Sequence, residues 1–216
     1  LGDVYKRQVQ DPERVRRMRP SIIHVLGDAE ECSRRLMGSG FVAADDYVIT
    51  NAHVVAGTQT VRLDTKLGLK DATVVYYNPD VDVAVLHSRD LGIDPLPWAQ
   101  DPAQTGDDAM VMGFPHSGPF DAEMARVRDR ITISGPDIYS HGHVERDSYT
   151  VRGSIQQGNS GGPLVNTAGE VLGVVFGASV DDAETGYALT ADEVNGQIGD
   201  LTQLTHPVDT GECVAH

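Results

Sequence analysis

The stretch QQGNSGGPLV, Gln156 to Val165, sets a single serine, Ser160, behind an asparagine and ahead of two glycines. One reading is a tight turn, because Asn, Ser and Gly tolerate the positive φ that turns demand. The other is chemical. Bare backbone around one hydroxyl lets a carbonyl approach the N–H groups closely, the arrangement that holds a developing oxyanion. A nucleophilic serine also needs a base and something to orient it, so the rest of the chain has to supply both.

Of the eight histidines, His53 has the most suggestive surroundings. In VITNAHVVAG, 48 to 57, the apolar alternation of a strand stops just before it, and a short helical turn there would present the ring at the strand end. The stretch NPDVDVAVL, 78 to 86, offers two carboxylates. Asp80 follows Pro79 and reads as a turn residue. Asp82 heads the alternating run Val83, Val85 and is expected at the mouth of a strand pair, where it could hold an imidazole tautomer. His141 and His143, in HGH, sit in a Gly-containing stretch with no Cys or carboxylate pattern beside them, so no metal site is expected. Nothing in the sequence calls for a cofactor.

The composition narrows the setting. The chain has 216 residues, 40% of them hydrophobic, enough for one large all-β domain or two small barrels sharing an interface. Seventeen basic against 32 acidic residues leave a net charge of −15. Such a surface repels nucleic acid and anionic membrane, so neither is an expected partner. No apolar run approaches the roughly 18 residues of a membrane span, and the first residues lack a signal-peptide pattern. Any export signal or anchor is expected upstream. Cys32 and Cys213 are too far apart for a CxxC-type site. They are either two unrelated thiols or a pair suited to an oxidising compartment.

Short apolar runs separated by turn residues dominate the order of elements. GFVAADDYVIT reads as a hairpin turning near Asp45 and Asp46, and DATVVYYNPDVDVAVLHS as two strands around Asn78-Pro79. Further strands are expected in AMVMGFP, ARVRDRITI, DSYTVR, GPLVN, VLGVVFGAS and TGYALT. Two segments read as helix, 10–19 and 191–204, the second opened by Thr190 with Glu193 at capping-box spacing. WAQDPAQTGDD, 98–108, interrupts the strands and is the best internal boundary. Many close-spaced strands with a C-terminal helix argue for an all-β barrel pair or sandwich.

Three segments in chain order, TNAHVV, DVDVAVL and GNSGGPL, together resemble the chymotrypsin-like serine proteases of the bacterial trypsin-2 and HtrA group. SGPDIY, the stretch VLGVVFGASVDDAETGYALTADEV and the placement of the two cysteines are similar to the MarP-like, membrane-anchored periplasmic proteases of actinobacteria, which are associated with acid resistance. The likeness runs over roughly residues 30 to 214, while FPHSGPF, 114–120, departs from that family's glycine-rich version. The resemblance implies an all-β, chymotrypsin-like double β-barrel with a C-terminal helix. An N-terminal extension is expected over 1–30 and the protease domain over 31–216. Barrel one then occupies about 31–100, barrel two about 101–190, and the helix and tail 191–216.

The resemblance also implies roles. His53 is the general base, Asp82 its orienting partner and Ser160 the nucleophile, with the oxyanion hole formed by the N–H groups of Gly158 and Ser160. It implies that Cys32 and Cys213 pair. The pattern places the specificity pocket at Ser154 and Ile155, with a wall from Phe176, Gly177 and Ala178. None of these is acidic, so uncharged residues are expected before the scissile bond and basic ones disfavoured. Asn159 is neutral where digestive relatives carry the aspartate that pairs with a freed N-terminus, so maturation by that ion pair is not expected. Expected partners are protein or peptide substrates, with an anchor outside this chain and an extracytoplasmic location. The alternatives are an HtrA-type protease domain without its PDZ domain and an inactive binding module of the same fold.

Overall fold

The strand pattern closes into two barrels in the computed structural model, which describes residues 11–215. The first few residues of the expected extension, 1–10, and the start of the 10–19 helix lie outside the described residues. Helix α1, Pro12–Met18, begins with Asp11, whose carboxylate accepts the Arg14 N–H at 3.0 Å. Barrel one is built from β1 (Ile22–Ala29), β2 (Arg34–Ala44), β3 (Tyr47–Thr50), β4 (Thr60–Thr65), β5 (Gly68–Asn78) and β6 (Val83–His87). A single helical turn, α2 (Ala52–Val55), follows β3. Barrel two comprises β7 (Asp108–Gly113), β8 (Asp121–Gly135), β9 (Val144–Arg152), β10 (Pro163–Asn166), β11 (Val171–Ala178) and β12 (Thr185–Thr190). Helix α3, Ala191–Ile198, closes it.

Strands run in the order β1-β2-β3-β6-β5-β4 in one barrel and β10-β11-β12-β9-β8-β7 in the other. Barrel one therefore starts at Ile22, within the segment expected to be an N-terminal extension, rather than at about 31. Strands β1 and β4 are additional to those expected. Burial alternates along β1, with Ile23, Val25, Gly27 and Ala29 inside, but His24, Gly27 and Asp28 obscure that pattern in the sequence. The expected helix over 191–204 is also shorter. It stops at Gly199, whose φ of +62° breaks the helix, and a separate 3₁₀ turn occupies Leu201–Gln203. Thr190 caps α3 by accepting the Glu193 N–H at 3.1 Å, but Glu193 reaches across to the Asp147 N–H instead of completing the box.

Alternation along β3 shows how the barrels share one core. Val48 points into barrel one with Ile23, Val25, Leu63 and Leu86, whereas Tyr47 and Ile49 point outward. Ile49 there meets Phe41, Val85, Met112, Val174 and Leu189, a layer drawn from both barrels. All four residues of β3 are consequently buried.

After α3 the chain returns to barrel one. The Val208 N–H donates to the Val74 carbonyl, the Gly57 N–H to Thr210 and the Thr210 hydroxyl to Thr58, each at 2.9 Å. Cys213 bonds to Cys32 across 181 residues of sequence. Closing so long a loop restricts the unfolded chain, and native bridges of this kind contribute about 2–4 kcal/mol. Reduction, or Cys32→Ser, is expected to lower the midpoint of thermal unfolding by on the order of 10 °C. An unchanged calorimetric midpoint under reducing conditions would show that the bridge adds nothing.

Candidate active site

The bend between β3 and α2 puts His53 in the first turn of a helix only four residues long. Asp82 grips that turn twice. Its Oδ1 accepts the His53 backbone N–H at 2.9 Å and its Oδ2 lies 2.6 Å from His53 Nδ1. The carboxylate thus seats the helix start and fixes the ring, with Nδ1 carrying the proton so that Nε2 is left as the acceptor. Asp82 is 5% exposed and its backbone is in the left-handed region, at φ +68°. Two bonds hold that conformation: the Asp82 N–H donates to the Asn78 carbonyl, and Asn51 Nδ2 donates to the Asp82 carbonyl at 2.9 Å. Asp80 lies exposed in the preceding turn, its N–H capped by Asn78 Oδ1.

Burial alone would push the His53 pKa down. The charge of Asp82 and its hydrogen bond outweigh that effect, so the imidazole is raised above its ordinary 6.5.

Ser160 belongs to the other barrel, in the turn that leads into β10, and reaches the same place. A Cβ added at Gly38 on β2 would fall 2.6 Å from a Val54 methyl and 3.2 Å from the Ser160 carbonyl, so helix α2 and the serine turn converge on one point of β2. Ser39, the next residue, ties the turn down. Its N–H donates to the Ser160 carbonyl at 2.9 Å and its hydroxyl to the Gly158 carbonyl at 2.7 Å, while the hydroxyl itself accepts the Phe114 N–H. Gly161, at φ +90°, has no room for a side chain: a Cβ would sit 2.0 Å from the Ser39 carbonyl oxygen. That glycine is explained by close packing against barrel one. The N–H groups of Gly158 and Ser160 are different, since among the described residues neither is donated to an acceptor.

A histidine with its proton fixed by a buried carboxylate, beside a serine turn with unused N–H groups, is an acyl-transfer geometry. Residues 38–174 match the trypsin-like peptidase domain. The chain belongs to that family. Over 197 residues, 91% of this chain, it is 50% identical to the serine protease Rv3671c of Mycobacterium tuberculosis, a MarP protease. The peptidase spans about half that relative's length, 49%. It superposes on the crystal structure of the Rv3671c protease in its active form with a TM-score of 0.91, at 48% identity, covering 95% of this chain and 92% of the other. For the inactive form the TM-score is 0.78, at 47% identity, covering 89% and 93%.

The residues expected at the specificity pocket lie on two segments of the peptidase. Ser154 and Ile155 follow β9, while Phe176, Gly177 and Ala178 end β11. Ile155 leans onto β12, where a Cβ at Gly186 would fall 2.2 Å from its Cγ1. Phe176 stacks on Tyr187 with ring centroids 6.1 Å apart. Two of the three carboxylates of 179–184 are engaged elsewhere: Asp182 accepts from the Glu184 N–H and the Thr185 hydroxyl, and Glu184 pairs with Arg152 at 3.4 Å. His141 and His143 lie in the exposed β8–β9 turn, where the His141 N–H donates to Asp137.

Ser39 was not legible as part of the site. It lies inside a strand between two glycines, and the carbonyls it binds in the serine turn are more than a hundred residues away.

The two carboxylates of the acid turn separate experimentally. Asp82→Asn removes the acceptor that fixes the His53 tautomer and is expected to lower kcat by about 10⁴-fold. Asp80→Asn leaves the backbone N–H and carbonyl of the turn in place and is expected to stay within about twofold. Equal losses in the two variants, measured on one peptide substrate, would move the orienting role away from Asp82.

Proposed function

We propose that this peptidase cleaves internal peptide bonds through a His53–Asp82–Ser160 triad. The observation that carries the reading is the double grip of Asp82 on His53, at the backbone N–H and at Nδ1, with Ser160 brought to the same point of β2. Ser160 Oγ attacks the scissile carbonyl while His53 Nε2 takes its proton. The Gly158 and Ser160 N–H groups receive the oxyanion. Collapse of the tetrahedral intermediate breaks the C–N bond, and His53 protonates the leaving amine. Water, deprotonated by His53, then hydrolyses the acyl-enzyme and restores the serine. Asp82 remains ionised and holds the imidazolium formed in each half-reaction.

The greater likeness to the active form of the Rv3671c protease than to its inactive form supports a competent arrangement. The resemblance to MarP-like proteases supports an extracytoplasmic role in acid or envelope stress, with a membrane anchor supplied upstream. The Cys32–Cys213 bridge suits an oxidising compartment.

The pocket favours uncharged, small or apolar residues before the cleaved bond. The residues assigned to it, Ser154, Ile155, Phe176, Gly177 and Ala178, include no carboxylate to offset a buried lysine or arginine. A peptide library digested by wild type and by Ser160→Ala tests both claims. The variant is expected to lose at least about 10⁴-fold in rate, and wild-type cuts are expected to follow small or apolar side chains. Cuts concentrated after Arg or Lys would overturn the pocket assignment, and undiminished cutting by Ser160→Ala would overturn the triad.

The base must be neutral to act, and its pKa is raised. Activity is therefore present at alkaline pH and lost as pH falls through a value above 6.5. A kcat/KM profile whose acid limb lies below 6.5 would contradict the hold of Asp82 on His53.

A further inference from the structure

Arg146 is an unusual residue to find in the seam between the barrels. It is the third residue of β9, is 6% exposed, and has its Nε buried without a partner. Its Nη2 donates to the Asp80 carbonyl at 2.5 Å and to the Pro136 carbonyl at 3.0 Å. Its Cζ stands 5.8 Å from the centre of the Phe176 ring. Burial drives its pKa down, opposed by the charges of Asp82 and Asp80 on the acid turn, Asp137 on the β8–β9 hairpin and Glu193 on α3. An arginine stays protonated even so. A buried cation with one N–H unused costs stability, so packing alone does not account for it.

The contacts share a direction. Asp80 is two residues before Asp82, in the turn that puts Asp82 at φ +68°. A second bond from the same hairpin, the Ile138 N–H to the Pro79 carbonyl at 3.2 Å, grips that turn next to Arg146. The turn belongs to barrel one, and both grips come from barrel two, which also carries Ser160 and the Phe176 wall.

We propose that Arg146 is a positioning residue: seated on the Phe176 wall, it fixes the Asp80 carbonyl and thereby sets the Asp82 carboxylate against His53. The proposal rests on the triad reading above. It makes the wall that meets substrate and the carboxylate that orients the base parts of one connected unit, through the path Phe176, Arg146, Asp80, Asp82.

The decisive variant is Arg146→Lys, which keeps the positive charge but loses the planar group that covers Phe176 and forks between the two carbonyls. Arg146→Met, which keeps the stem and drops the charge, is the companion. Both are compared with wild type for kcat, KM, the pH profile of kcat/KM and thermal unfolding. With the carboxylate displaced, kcat is expected to fall about 10- to 100-fold, with KM changed far less. In Arg146→Lys the acid limb is expected to move to lower pH by about half a unit, because a looser Asp82 raises the His53 pKa less. A lost charge cannot explain that shift. Folded variants with wild-type kcat and an unmoved acid limb overturn the proposal. So does a lowered unfolding midpoint with unchanged turnover, or failure of both variants to fold, since either makes Arg146 merely structural. Labelling by a fluorophosphonate, present in wild type and absent in Ser160→Ala, checks the triad separately. If labelling survives in Ser160→Ala, the triad reading falls, and this proposal with it.

Discussion

The hydroxyl and N–H of Ser39 hold the Gly158 and Ser160 carbonyls across the seam between the barrels. These two bonds decide much of the rest. While its carbonyls are held by β2, the serine turn keeps the Gly158 and Ser160 N–H groups without an acceptor among the described residues. Gly161 has to be glycine because the backbone of β2 passes where a Cβ would lie. The quartet Asn159 to Gly162 thus serves two purposes in adjacent residues. One end fits the chain against barrel one, and the other presents polar groups that the fold itself does not use.

Barrel two contributes the serine and barrel one the histidine and the aspartate, so neither barrel alone holds the proposed triad. What they share is a buried layer in which Phe41, Ile49 and Val85 meet Met112, Val174 and Leu189. Apolar burial of this kind fixes how close the barrels come but is indifferent to small rotations. Directional bonds at the rim supply the missing precision: Ser39 from one side, Ile138 and Arg146 from the other. Asp82 lies between them as a nearly inaccessible carboxylate, paired through both oxygens. A buried charge so placed tolerates little displacement, because any lost bond leaves it uncompensated.

Local chemistry was legible in the chain, and long-range partnership was not. His53 at the end of a strand, Asp82 ahead of an alternating run and Ser160 among glycines announce themselves within a few residues. The paired alternations of β2 with β3 and of β5 with β6 do the same. Strand β1 escaped because His24, Gly27 and Asp28 interrupt its pattern while its ladder partners lie elsewhere. Ser39 and Arg146 escaped for a related reason. Hydrogen-bonding side chains inside strands carry no periodic signature, and each finds its acceptor across the seam, 119 and 66 residues away in sequence. The expected helix over 191–204 had a start signal in Thr190 and Glu193 but ran past its end, because Gly199 has already reversed the backbone and Leu201 opens a separate 3₁₀ turn.

The returning tail bears on the order in which such a molecule can become active. Val208 and Thr210 complete edges of barrel one, and Cys213 closes onto Cys32 just where Gly57 leaves the histidine helix. The barrel made before the serine barrel is therefore finished by residues made after it. Until Thr210 and Cys213 are in place, the chain leaving the His53 helix lacks the Gly57–Thr210 bond and the bridge beside it, so the seat of the histidine is completed only once the serine barrel has been synthesised.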